Sequence, residues 1–89
     1  MAIFAVCYDL NKPGQDYKDL YNALQSFGGY MHYLDSTWFI SSNLSASQIF
    51  GKLSPFIDNT DNLLIIEVTN HWYAKLPQEG LDWLSHLLP

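Results

Sequence analysis

Residues 30–41 read Tyr30-Met31-His32-Tyr33-Leu34-Asp35-Ser36-Thr37-Trp38-Phe39-Ile40-Ser41. Aromatic and β-branched residues dominate both arms of this stretch, as they do in strands. Asp35 and Ser36 are turn formers, because their side chains bond nearby backbone groups. The stretch predicts two strands, 30–34 and 37–41, joined by a tight turn at Leu34-Asp35-Ser36-Thr37. A hairpin in the middle of a short chain fits few topologies, and its flanks choose among them.

On the N-terminal side, Tyr17, Leu20, Tyr21, Leu24 and Phe27 are spaced along one face of a helix over about 15–27. Asp16 and Asp19 suit its positive end, and Gly28-Gly29 suits a left-handed stop. Asn11, Lys12, Pro13 and Gly14 read as the loop before it. Ile3 to Tyr8 is a continuous apolar run, which predicts a strand buried on both faces.

On the C-terminal side, Ser45 with Gln48 forms a capping box, and Leu44 with Ile49 sits at the two staple positions. The helix carries Ile49, Phe50 and Leu53, and Pro55 is expected to end it by pushing residue 54 out of helical space. Asp58 to Asn62 is a polar turn, and Leu63 to Val68 is a fourth strand. Asn70 to Leu76 is ambiguous, and a fifth strand there stays open. Pro77 to Leu88 predicts a short last helix, with Pro77 at its first position.

The order is β-α-β-β-α-β with an extension over 70–89. This α+β pattern is the ferredoxin-like fold: one domain over 1–89, an antiparallel four-stranded sheet and two helices on one face. Such a sheet has its first and third strands at the centre. Ile3, Ala5 and Cys7 then oppose Phe4, Val6 and Tyr8, and Phe39 opposes Trp38 and Ile40. Both faces are apolar, yet two helices cover only one. Monomers rarely leave a large apolar patch open. The second face is therefore expected to be covered by the C-terminal extension, by a second subunit, or by both. A symmetric homodimer is the favoured expectation.

The chain has 89 residues, 48% of them hydrophobic and 16% aromatic, which excludes a disordered segment. No apolar run reaches the roughly 18 residues of a membrane span. The start MAIFAVCYDL has no basic region and turns acidic at Asp9, so no signal peptide is expected. A cytoplasmic setting without membrane contact is the expectation. Cys7 is the single cysteine, which excludes a disulfide scaffold and a thiolate zinc cluster. It is expected to be a small core hydrophobe. Four Lys and no Arg stand against nine acidic residues, for a net charge of −5. Nucleic-acid binding proteins neutralise phosphates with Lys and Arg, so this balance argues against an extensive nucleic-acid surface.

Three stretches, YDLNKPGQDY from Tyr8, HYLDSTWFI from His32, and the late Leu76-Pro77 with Trp83-Leu84, carry a resemblance. The chain resembles the SinR-like branch of the small CRISPR-associated spacer-acquisition family, whose members are also described as metal-dependent endoribonucleases. VapD-type toxin ribonucleases share the architecture. The resemblance covers nearly the whole chain. It implies a homodimer with facing sheets; a phage-defence or counter-defence setting belongs to the binding-module expectation below. It also implies that Asp9 lies near the dyad, where two copies would hold one Mg²⁺ or Mn²⁺, cations that favour oxygen ligands.

Asp9 is thus the candidate catalytic and metal-binding residue; as a residue type alone it also fits a turn aspartate. Tyr8, Asp35 and Ser36 are candidate binding residues, and each also fits its place as core or turn. His71 and Trp72, in the run His71-Trp72-Tyr73, are candidates for holding a partner or a stacked base. His32, His71 and His86 have no metal-ligand spacing. No P-loop, dinucleotide glycine motif or Ser-His-Asp arrangement is present. Two functions stand as expectations. One is a non-catalytic homodimeric module binding a protein or a nucleotide-type ligand. The alternative is a metal-dependent endonuclease acting on RNA or DNA through Asp9 of both subunits.

Overall fold

A computed structural model describes residues 1–11 and 16–88. It runs β1 (Ala2–Asp9), α1 (Lys18–Gln25), β2 (Gly29–Leu34), β3 (Thr37–Ser42), α2 (Ala46–Leu53), a 3₁₀ turn (Ser54–Phe56), β4 (Asn62–Val68) and α3 (Gln78–Leu87). The four strands form one antiparallel sheet in the order β2-β3-β1-β4. This is the ferredoxin-like order, with β1 and β3 central as the double-sided apolar runs require. No described helix is long and apolar enough to cross a membrane.

The inner face is set by strand alternation. Phe4, Val6 and Tyr8 of β1 share it with Trp38 and Ile40 of β3 and with Leu63 and Ile65 of β4. Leu20 and Leu24 of α1 and Ile49 and Leu53 of α2 pack onto that layer. Val6, Leu20, Leu24, Ile40, Ile49 and Leu53 are fully buried. Each such side chain contributes about 1.5–3 kcal/mol from burial.

The helix starts and stops follow local chemistry, not always the expected one. In α2 both arms of the Ser45–Gln48 capping box are formed. At its end Ser54 stays right-handed helical (φ −58°, ψ −32°), contrary to the expectation from Pro55. The chain tightens into the 3₁₀ turn, whose first positions accept a proline because their N–H groups have no partner within the turn. In α1 the helix stops at Gln25, two residues early. Ser26 is right-handed, its N–H still reaches Asn22 O and Ala23 O, and its hydroxyl donates to Ala23 O. The carbonyls are satisfied there, so Gly28-Gly29 forms no left-handed stop and Gly29 opens β2 instead. The expected loop at Lys12-Pro13-Gly14 and the helix start at Gln15 lie outside the described residues. Pro77 is the residue before α3 rather than its first, and its carbonyl accepts the N–H groups of Gly80 and Leu81.

The second sheet face is half covered. α3 lies against β2, burying Met31 to 4% exposure and Leu84 to 2%. Gly80 makes the approach possible: a Cβ there would stand 3.0 Å from Tyr33 Cδ2 and 3.3 Å from Met31 Sδ. Residues 69–77 form no strand, although half-buried Trp72, Ala74 and Leu76 alternate with exposed His71, Tyr73 and Lys75. Ile3 and Ala5 of β1 are buried on this face too, and it stays open along β4 and at the Cys7–Asp9 end of β1. Leu64 is 56% exposed and Ile66 52%. Cys7, opposite Leu64 in the ladder, is half-buried, not the core residue its strand position suggested. The extension ends over the far side of the sheet and leaves this residue at the margin.

Candidate functional site

The C-terminal end of β1 is the meeting point of three connections, and its side chains alternate between two environments. Tyr8 points inward. Its hydroxyl accepts the Trp38 indole N–H at 3.0 Å and donates to the Asp35 carbonyl at 3.1 Å. Its backbone N–H donates to Ser36 O at 3.0 Å. The β2–β3 turn is thereby clamped onto the end of β1. Burial pushes the Tyr8 hydroxyl above its ordinary pKa of 10.0, against the lowering effect of the Trp38 hydrogen bond.

Trp38 carries an aromatic cluster. His32 stacks on it with ring centres 4.1 Å apart and planes 13° apart, and His32 Nε2 lies 3.3 Å from Asp35 O. Tyr21 stacks at 6.1 Å and Tyr30 tilts against it at 5.8 Å. Three of the expected site residues, Tyr8, Asp35 and Ser36, are therefore neighbours. The contacts joining them use the Tyr8 hydroxyl and the backbone carbonyls of the turn. The Asp35 and Ser36 residues are exposed.

Asp9 points the other way. It is exposed, pairs with Asn62 across the ladder, and shares the open sheet face with Cys7, Leu64 and Ile66. A cleft of about 280 Å³ beside it is lined by Cys7, Tyr8, Asp9, Asn62, Leu63 and Leu64. The lining is mostly apolar, and no described residue of it is cationic. Among the described residues no group of three or more His, Cys, Asp or Glu side chains could hold a metal ion. Within one chain the residues present therefore do not fit a divalent cation at Asp9.

His71 and Trp72 are not part of this end of the sheet. Val68, just before them, pairs with Ile3, whereas Asp9 pairs with Asn62 at the opposite end of the same ladder.

Asp61 is the polar residue that sequence reasoning missed. It is only 9% exposed. Its Oδ1 accepts the Asn11 N–H and the Tyr17 hydroxyl, each at 2.7 Å, and its Oδ2 accepts the Asp58 N–H at 2.7 Å. One carboxylate thus ties both ends of the β1–α1 connection to the turn before β4. The polar run Asp58 to Asn62 signalled a turn, but the partners at residues 11 and 17 are distant in sequence.

A second cleft, of about 370 Å³, straddles the outer edge of β2 between the end of α1 and the first turns of α3. Tyr30, Tyr33, Trp83 and Glu79 contribute to it. Its only sequence signal was the density of aromatics in the hairpin. No family model, curated protein or solved structure matches the chain, so its functional reading rests on these two clefts and the open sheet face.

Proposed function

We propose that the chain is a non-catalytic homodimeric binding module that self-associates through β4 on its second sheet face, with the C-terminal end of β1 beside it. One observation carries this reading. Leu64 and Ile66 are more than half exposed on a sheet whose other residues are largely packed, and they adjoin the half-buried Cys7. A second copy is the occupant that suits the charge. Each chain carries −5, and Leu64, Ile66 and Val68 offer an uncharged patch on which two acidic chains meet, with Asp9 the one acidic residue beside it on the β1 end of the face. Glu67 is directed to the other face by strand alternation. The resemblance to the SinR-like branch, with its facing sheets, supports this reading, and a phage-defence or counter-defence setting is the one proposed for the module. The cleft beside Asp9 would then border the dimer seam and take a protein segment or a nucleotide-type ligand by its base, against its mostly apolar described lining.

Sedimentation equilibrium tests the proposal. The wild type is expected to be a dimer and the double variant Leu64→Glu with Ile66→Glu a monomer with an unchanged far-ultraviolet circular dichroism spectrum. A wild type that stays monomeric at its highest attainable concentration overturns the reading.

A second reading, a metal-dependent endonuclease acting on RNA or DNA, is favoured by the position of Asp9 on the same face as Leu64 and Ile66. A face-to-face dimer brings the two chains' Asp9 residues to a common seam. Labelled RNA and DNA incubated with Mg²⁺ or Mn²⁺ are expected to be cut by the wild type and not by Asp9→Asn if this reading holds. Equal behaviour of the two proteins sinks it.

A further inference from the structure

We propose that the cleft across the outer edge of β2 is a binding site for an organic cation of the methylated-ammonium class. The site lies at the β2 edge of the sheet, the opposite edge from β4, and the inference goes beyond the dimer reading and does not depend on it.

The first observation is a concentration of aromatic surface with no partner in the fold to bury it. Tyr30 is 44% exposed and Tyr33 43%, and Trp83 is half-buried beside them. All three line the same cleft, on whose wall His32 also lies. The second is that the rings are held in place. Tyr30 leans on the buried Trp38, with centres 5.8 Å apart, and His32 stacks on the same indole. Tyr33 lies against Gly80, where even a methyl group would stand 3.0 Å from its ring. Trp83 is fixed on α3, which Leu84 anchors at 2% exposure. Rings that are already oriented lose little freedom when a ligand arrives.

The third observation is charge. Among the described residues Glu79 is the only formally charged one of the lining, and no Lys contributes to it. The faces of Tyr and Trp rings are electronegative and attract cations, quaternary ammonium ions above all. A carboxylate at the rim adds to that attraction. Phosphate or carboxylate ligands find no cationic group here and would face Glu79. A neutral planar base would stack on the rings but gain nothing from Glu79. The cleft volume, about 370 Å³, falls in the range of small-ligand sites.

The test is a titration of the intact chain with choline, followed by the Trp83 indole resonance in nitrogen–proton correlation spectra. The neutral carbon isostere of choline, with tert-butyl in place of trimethylammonium, is titrated in parallel, and so is uridine. Choline is expected to shift the Trp83 signal saturably. The isostere is expected to bind at least about threefold more weakly, the smaller end of what a cation–π contact contributes. Glu79→Gln and Tyr33→Leu are each expected to weaken choline binding by about three- to thirtyfold. Glu79 is exposed at the start of α3, so its variant keeps the test valid even if Tyr33→Leu loosens the helix. The Leu64→Glu, Ile66→Glu double variant is expected to bind choline as the wild type does. A Trp83 signal unmoved by choline, equal binding of the isostere, or uridine binding that Glu79→Gln leaves unchanged with choline inert would overturn the proposal.

Discussion

The Asp61 carboxylate accepts the Tyr17 hydroxyl at 2.7 Å across 44 residues of chain. The same oxygen takes the Asn11 N–H, so Asp61 holds the start and the end of the β1–α1 connection at once. Its other oxygen closes the turn it belongs to, through the Asp58 N–H. Asp61→Ala removes an acceptor from three donors in partly buried positions. Each donor left unpaired carries a desolvation cost, softened here by the access of water. The expected loss is about 1–3 kcal/mol of stability, read from the urea midpoint. A loss below about 0.5 kcal/mol, the range of ordinary surface substitutions, would show that the three bonds do not act as a clamp.

Tyr8→Phe tests the link between β1 and the hairpin. The substitution leaves the Trp38 indole N–H buried without its acceptor and takes one donor from the Asp35 carbonyl, which keeps the contact of His32 Nε2. The expected cost at neutral pH is about 1–3 kcal/mol. A pH dependence accompanies it. Burial raises the Tyr8 pKa in the folded chain above 10.0. Above that pH the unfolded chain releases the proton while the folded chain keeps it, so the unfolded state binds fewer protons and stability falls as pH rises. The contribution is fully present below pH 10.0 and is lost above it. Urea unfolding at a series of alkaline pH values is expected to show a steeper decline for the wild type than for Tyr8→Phe. Parallel curves would mean that Tyr8 titrates alike in both states.

Gly51 and Gly80 form a matched pair in two helices. Nothing lies within 4 Å of a Cβ built on Gly51, whereas one on Gly80 meets Tyr33 at 3.0 Å. Gly51→Ala is expected to raise stability by about 1 kcal/mol, the difference in helix propensity. Gly80→Ala is expected to give none of that gain, because the Tyr33 ring must move and with it the wall of the β2 cleft. Thermal melts of the two variants check this. Equal gains would mean that α3 does not depend on close approach at Gly80.

How much of this was legible in the sequence depended on whether the information was local. The Ser45–Gln48 capping box, the hairpin turn at Asp35-Ser36 and the continuous apolar run of β1 are fixed by residues within a few positions of each other, and each is present as expected. The ferredoxin-like order followed from them, since a short chain with these elements has few ways to bury its apolar strands. Local reading failed where a competing local bond existed, as at Ser26, or where a tighter turn absorbed the strain, as at Ser54 before Pro55.

The amino-acid sequence by itself therefore determined the elements, their order and the existence of a second apolar sheet face, because strand periodicity and turn chemistry act between near neighbours. Only the tertiary structure decided how that face is shared. α3 docks on β2 because Gly80 lets it approach Met31 and Tyr33, and this leaves Leu64 and Ile66 open on β4. It also decided that Asp61 is a buried clamp and that Tyr30, Tyr33, Trp83 and Glu79 converge on one cleft. Those placements join residues tens of positions apart, and such contacts are set by how whole elements pack, which no window of neighbouring residues encodes.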